Sequence, residues 1–426
     1  MKTAVVGINW GDEGKGRMVD LLSSDYDVVV RYQGGNNAGH TVVNERGKFV
    51  LNLLPSGILR PSVVCVMGNG MVIDLEHLDG EIGRLKAVGI EITPDNLKIS
   101  DKAVICMPYN KLQDIVEEER LKDKKFGSTR RGIGPIYSDK YIKKAMRMGD
   151  LKDLSKAKQR LADIVEWKNL TLRAYNSEVS AEDMFSWLNK YSYLFQYVCD
   201  TGEYLLKANA KGKNIMFEAQ LGALRDIDLG IYPYTSSSNT IAAYAPIGAG
   251  VPSLKVDLSI GIMKAYSTCV GEGPFVCEAL DDIALQEHLR GVGGEYGAAT
   301  GRPRRVGAFD IVASKYGILA QGADEIALTK LDVLTGLDKI PICVAYELDG
   351  KRVNYFPYTD ELERCKPIYE YMDGWKEDIS GAKSMGDLPI AAQKYVQYLE
   401  SATGCKITYV SVGAAREQYF VKEERS

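Results

Sequence analysis

Two glycine-rich loops, each directly behind an apolar run, constrain this chain more than any other feature. The first is Asn9-Trp10-Gly11-Asp12-Glu13-Gly14-Lys15-Gly16-Arg17, after the strand-like residues 3–8. The second is Gln33-Gly34-Gly35-Asn36-Asn37-Ala38-Gly39-His40-Thr41, after residues 28–30. Glycine-rich turns at strand ends let backbone N–H groups face an anion, so two of them at neighbouring strands predict a phosphate crevice. The first loop is not a Walker A motif, because Asn9 stands where its first glycine belongs and Gly16 follows Lys15. Nor is it GxGxxG, since the order is GxxGxG. Its acidic pair, Asp12 and Glu13, would repel phosphate unless one binds Mg²⁺ or takes a proton. His40 is one of only three histidines. Between small neighbours in a tight loop it has little packing to offer, and an imidazole beside a transferring phosphoryl group can donate to developing charge.

Further along, Thr329-Lys330-Leu331-Asp332 ends a strand-like run. An aspartate there can accept from N1–H and the 2-amino group of guanine, two donors that adenine lacks, while the Lys330 stem lies along the base. Ser411-Val412-Gly413 ends another such run and could complete that pocket. Two basic clusters remain. One holds Arg130, Arg131, Lys140, Lys143, Lys144 and Arg147. The other is Arg302-Pro303-Arg304-Arg305, behind Gly297-Ala298-Ala299-Thr300-Gly301. Arginine grips carboxylate and phosphate bidentately, so the second cluster suits an anionic substrate.

The chain has 426 residues, 45% of them hydrophobic, enough for a sizeable core in one large α/β domain or several ordinary ones. A formal charge of -4 argues against general affinity for nucleic acid or membrane. The N-terminus runs straight into a strand, and no stretch is long and apolar enough to span a bilayer, which predicts a cytoplasmic protein. The eight scattered cysteines form no CxxC pair and read as buried reduced thiols. Strand-like runs at 64–67, 214–217, 256–262, 325–328, 340–345 and 407–410 alternate with amphipathic stretches. That pattern predicts a mixed, largely parallel sheet covered by helices. Residues 44–47 read as a hairpin turn. Residues 151–211 read as a helical insertion within a single catalytic domain spanning 1–426.

Taken together, these segments resemble the adenylosuccinate synthetase family over nearly the whole chain. The resemblance rests on both glycine loops and on Pro55-Ser56-Gly57-Ile58-Leu59, Arg131-Gly132-Ile133-Gly134-Pro135 and Lys264-Ala265-Tyr266-Ser267-Thr268. It rests also on Thr300-Gly301-Arg302-Pro303-Arg304-Arg305 and on residues 329–334. It implies a large central, mostly parallel sheet flanked by helices, with a P-loop-NTPase-like nucleotide site and a homodimer. The implied reaction joins IMP to L-aspartate at the expense of GTP, with Mg²⁺, through a 6-phosphoryl intermediate.

By the same resemblance Asp12 is the base, His40 the acid, and Lys15 the cation that neutralises charge in the transfer. Gly11 to Arg17, Gly39 to Thr41, Arg304, Lys330 to Asp332 and Ser411 to Gly413 hold GTP. Mg²⁺ sits on Asp12 and the Gly39 carbonyl. Asn37, Ala38, Thr129, Arg131, Gln220 and Ser236 hold the nucleotide acceptor. Ala298, Ala299, Thr300, Gly301 and Arg302 hold aspartate, with Arg302 also touching the nucleotide. Lys143 reaches the partner's site.

The chain departs from the family pattern at four of these places. Lys143 replaces an arginine, and Ser236 and Ala299 each replace a threonine. Glu218-Ala219-Gln220-Leu221-Gly222 replaces a segment whose glutamine contacts the nucleotide. All four fall among acceptor and aspartate residues, which admits a paralogue acting on another 6-oxopurine nucleotide or another amine. A GTP-binding regulatory module without ligase activity is the remaining reading, and the pair Asp12 and His40 weighs against it.

Overall fold

The computed structural model describes residues 1–44, 47–122, 127–296 and 303–422. Ten strands form its central sheet, numbered here along the chain. They are β1 (Lys2–Gly7), β2 (Val28–Arg31), β3 (Val64–Met67), β4 (Leu97–Ser100), β5 (Val198–Cys199), β6 (Ile215–Gly222), β7 (Leu258–Lys264), β8 (Glu325–Thr329), β9 (Lys406–Ser411) and β10 (Tyr419–Val421). Their spatial order is β10-β9-β8-β7-β1-β6-β2-β3-β4-β5. Every pair is parallel except β9 with β10. The predicted sheet is therefore present.

Both faces of this sheet are covered, which is why its strands read as unbroken apolar runs. Val5, Val29, Cys65, Met67 and Met216 pack into a core on one face. Their neighbours Ala4, Val6, Val28, Val30, Val66 and Phe217 pack into a second core on the other. The alternation follows from the period of two along a strand.

Three expectations need correction. The two glycine loops do not leave neighbouring strands, because β6 lies between β1 and β2. Parallel strands need a crossover, and a late strand can insert between two early ones, which spacing along the chain does not show. The run at 340–345 is not in the central sheet. It belongs to the strand Lys339–Leu348 of a second sheet, whose hairpin pairs with Lys351–Val353 and Lys366–Asp373 are antiparallel. The segment 151–211 is mostly helical (Leu154–Leu172, Ala181–Lys190, Thr201–Ala210), but its residues Val198 and Cys199 form β5 at the sheet edge. The hairpin pairs His40–Asn44 with Gly47–Leu51, and residues 45–46 of its turn lie outside the described residues.

Candidate functional site

Loop one leaves the carboxyl end of β1 and runs into the helix Lys15–Leu22. Glu13 does not face outward as an anion ligand. Its buried carboxylate accepts from the backbone N–H of Asn9 (3.1 Å) and Gly11 (2.7 Å) and from Lys15 Nζ (2.9 Å), so it shapes the loop. Lys15 also donates to the Gly11 carbonyl at 2.8 Å. Two of its three donors are thereby used and one remains. Asp12 stands apart from this arrangement. Its Oδ1 accepts from the Thr268 hydroxyl at 2.7 Å, while Lys264 Nζ and Arg304 Nε each lie 3.4 Å from Oδ2. That buried Oδ2 accepts no hydrogen bond.

Lys264, Arg304 and Lys330 are gathered by Glu295, which the sequence did not mark as functional. Its carboxylate is fully buried and takes Lys264 (2.9 Å), Arg304 (2.5 Å), Lys330 (3.4 Å) and the Tyr266 hydroxyl (2.5 Å). Burial alone raises its pKa. Lys264, Lys330, Arg304 and Tyr266 overcome that and bring it down to about 2. Glu295 thus links the residues around Asp12 to Lys330. No local signal in Gly294-Glu295-Tyr296 announces this, because its partners come from three other segments.

Loop two leaves β2. His40 was expected in a tight loop with little packing to offer. Instead it begins the strand His40–Asn44 and is 5% exposed, because the sheet and the first helix close over it. A Cβ on Gly16 would fall 2.6 Å from His40 Cβ, so that position admits only glycine at this close approach, and the two loops form one wall. Glu218 of β6, between the parent strands, meets His40 Nδ1. The other contacts of Glu218 are the Ser56 hydroxyl (2.6 Å) and the Ser56 N–H (2.8 Å). His40 Nε2 is buried without a partner. Burial lowers the imidazole pKa, and Arg31 and Lys15 add to that, against the opposing pull of Glu218. Glu218 is a lone carboxylate inside an apolar strand, and that was a legible signal of a partner, because buried charges are paired.

Gln220 is half engaged, because its buried amide oxygen has no partner. Its amide nitrogen donates to the carbonyls of Gly35 (2.6 Å) and Asn52 (3.1 Å), and its backbone carbonyl accepts from Gln33 at 2.7 Å. Leu221 adopts a left-handed φ of 60°. In the same loop the Asn37 carboxamide accepts from Gly35 N–H, the Ala38 carbonyl accepts from Asn52, and Gly39 is exposed. Ser236 pairs with the Ser238 hydroxyl at 3.0 Å, and Ser238 in turn reaches Gln33. Thr41 is half-buried, and Thr129, Arg131 and Lys143 are exposed.

The residues expected to read guanine do come together. Lys330, Leu331 and Asp332 follow β8, and Ser411, Val412 and Gly413 end and follow β9, its parallel neighbour. The Lys330 ammonium donates to the Gly293 carbonyl. The Leu331 and Val412 side chains are fully buried core, so only their backbone can meet a ligand. Burial raises the Asp332 pKa. The Arg17 guanidinium is occupied by the Ser411 hydroxyl and the carbonyls of Gly413, Ala415 and Gln418, so it ties the first helix to the base-reading segment. Thr329 Oγ1 donates to the Glu13 carbonyl at 2.7 Å, joining loop one to β8. Ala298, Ala299, Thr300, Gly301 and Arg302 lie outside the described residues. Among the described residues, no group of three or more His, Cys, Asp and Glu side chains could hold a metal by itself.

A mostly parallel sheet, two glycine loops on one wall and the Lys330–Asp332 segment two strands away are the arrangement of a nucleotide-dependent α/β enzyme. The family model for adenylosuccinate synthetase matches residues 4–420. An adenylosuccinate synthetase of Caldanaerobacter subterraneus is 45% identical, with 98% of each chain covered. One called adenylosuccinate synthetase 2, from Pseudoalteromonas translucida, is also 45% identical over 98% of this chain and 99% of its own. A fully ligated adenylosuccinate synthetase of Plasmodium falciparum superposes with a TM-score of 0.92 at 35% identity, covering 99% of both chains. A succinoaminodeoxyadenylate synthetase of cyanophage S-2L shares the fold at TM-score 0.63 and 18% identity, with 99% and 95% covered. The chain belongs to the adenylosuccinate synthetase family.

Proposed function

We infer that this chain is a GTP-dependent ligase of purine biosynthesis that joins IMP to L-aspartate and releases GDP and phosphate. The observation that carries this reading is the family match over residues 4–420, with 45% identity to a relative over 98% of the chain. Lys330 and Asp332, with Ser411 to Gly413, read guanine. The Asp12 carboxylate takes the N1 proton of IMP, and the 6-oxygen then attacks the γ-phosphorus as the bond to GDP breaks. His40 donates to the developing charge, and the free donor of Lys15 neutralises it. The aspartate amino group then displaces the phosphate from C6. Gly11, Gly14, Gly16 and Thr41 line the polyphosphate. Asn37, Ala38, Thr129, Arg131 and Ser236 face the acceptor, and Ala298 to Arg302 face aspartate.

Mg²⁺ suits Asp12 and the Gly39 carbonyl. The Asp12 Oδ2 accepts no hydrogen bond although Lys264 and Arg304 lie 3.4 Å from it, so its carboxylate would hold a hard cation, and one carboxylate is enough when substrate phosphates complete the shell. When bound, the ion neutralises phosphate charge. A cytoplasmic homodimer acting as one catalytic unit, with Lys143 crossing to the partner's site, belongs to the same reading. Among the described residues, no helix is long and apolar enough to cross a membrane.

One observation favours a second reading, an altered acceptor or amine. The Gln220 amide nitrogen is spent on the Gly35 and Asn52 carbonyls while its oxygen lies buried without a partner, and Leu221 offers no amide in its place. A single assay separates the two. Phosphate release from GTP is measured with IMP and aspartate, each omitted in turn, then with a panel of 6-oxopurine nucleotides and amines. The leading reading expects release only with all three present and fastest with IMP and aspartate. Equal release with a component missing removes it.

A further inference from the structure

Glu218 is placed where sequence spacing could not reveal it, on the strand inserted between the parents of the two loops. Its two carboxylate oxygens meet His40 Nδ1, the Ser56 hydroxyl and the Ser56 N–H. A carboxylate fixed by two Ser56 donors is an acceptor, so the proton between it and His40 belongs to the imidazole. Nδ1 therefore carries a proton, and Nε2 is the nitrogen left for chemistry, where it donates when the ring holds its second proton. That Nε2 is buried and unpartnered, which is costly unless a ligand completes it. Arg31, also fully buried, lies close enough to Glu218 to stabilise its charge, and the charge of Lys15 on the first helix acts on the ring.

We propose that Glu218 is the positioning residue of His40, fixing ring orientation and holding Nδ1–H so that Nε2, protonated in the imidazolium, donates to the transferring phosphoryl group. This rests on the ligase reading above and adds to it a residue that does not itself touch substrate. The logic is that of an outer-sphere carboxylate holding a working imidazole, which in other sites is worth roughly 10–100-fold in activity.

Three measurements test it. The first needs no substitution. With ¹⁵N-labelled histidine and only three histidines to assign, the nucleotide-free protein should show His40 with a hydrogen-bonded proton on Nδ1. A His40 ring protonated on Nε2 alone overturns the proposal. Secondly, Glu218→Ala should lower kcat about 10–100-fold, leave the KM for GTP within about threefold, and regain part of the loss as Glu218→Asp. Thirdly, in a His40→Gln background Glu218→Ala should cost under about threefold more, because a residue acting through His40 has nothing left to position. A fully additive loss overturns the proposal. Should Glu218→Ala fail to fold, the labelled wild-type protein still decides. Absence of any GTP turnover by the wild type refutes the ligase reading, whereas turnover with the wrong tautomer refutes this inference alone.

Discussion

Asp12 accepts one hydrogen bond from Thr268 and faces two cations, and its second oxygen has no donor. A side chain so placed can take a proton and is not needed to hold the loop, a task that falls to Glu13. Asp12→Asn should therefore lower kcat by about 10²–10⁴-fold, the range for losing a general base, while GTP still binds. Turnover assays beside equilibrium nucleotide binding check this. Asp332 supports a sharper prediction. Asparagine there offers a donor where guanine also has one. Xanthine presents a carbonyl at that position, so Asp332→Asn should weaken GTP by about 1–3 kcal/mol and improve use of XTP. Steady-state KM for the two nucleotides reads it.

At the level of single elements, the helix Ile311–Gln321 begins at Asp310, whose side chain accepts from Ala313 N–H at 2.9 Å and from the Tyr346 hydroxyl at 2.7 Å. Burial raises its pKa to about 6, against those hydrogen bonds. A carboxyl raised in the folded state favours folding fully below its unfolded value near 4, and that contribution is lost as pH rises through about 6. Asp310→Asn keeps the cap without the charge. Relative to wild type, it should gain stability between pH 4 and pH 7, by roughly 3 kcal/mol at the upper end. Urea denaturation at the two pH values measures it, and a difference independent of pH refutes it. Legibility also divides at this scale. Strands β1, β2 and β3 could be read because parallel strands buried on both faces are unbroken apolar runs. The run at 340–345 looks the same, yet it pairs antiparallel with Lys366–Asp373 and parallel only with the short strand Phe309–Asp310, and partner identity is not a local property. The hairpin at residue 40 was legible from its turn residues, whereas the burial of its first residue was not.

For the molecule as a whole, segments nearly the full chain length apart build the site. Arg17 reaches Ser411 across 394 residues, and Arg416 holds the buried Asp20 of the first helix at 2.8 Å. Beside the proposed crossing residue Lys143, Tyr141 is 70% and Ile142 45% exposed, an apolar pair that a second copy would cover. Sedimentation equilibrium should give twice the 47.0 kDa of one chain, and Lys143→Glu should weaken IMP more than GTP. A species of single-chain mass at assay concentration contradicts the dimer.

The amino-acid order alone determined the family, the sheet class and the residue types of the chemistry, because glycine spacing, apolar runs and motif order are local properties. Folding decided which charges neutralise one another. Glu13 was turned inward, His40 was buried against Glu218, the Gln220 amide nitrogen was spent on backbone, and Glu295 gathered three cations. Each of these depends on a strand or loop arriving from far along the chain. A buried charge is stable only beside its partner, and that partner is set by topology and not by spacing.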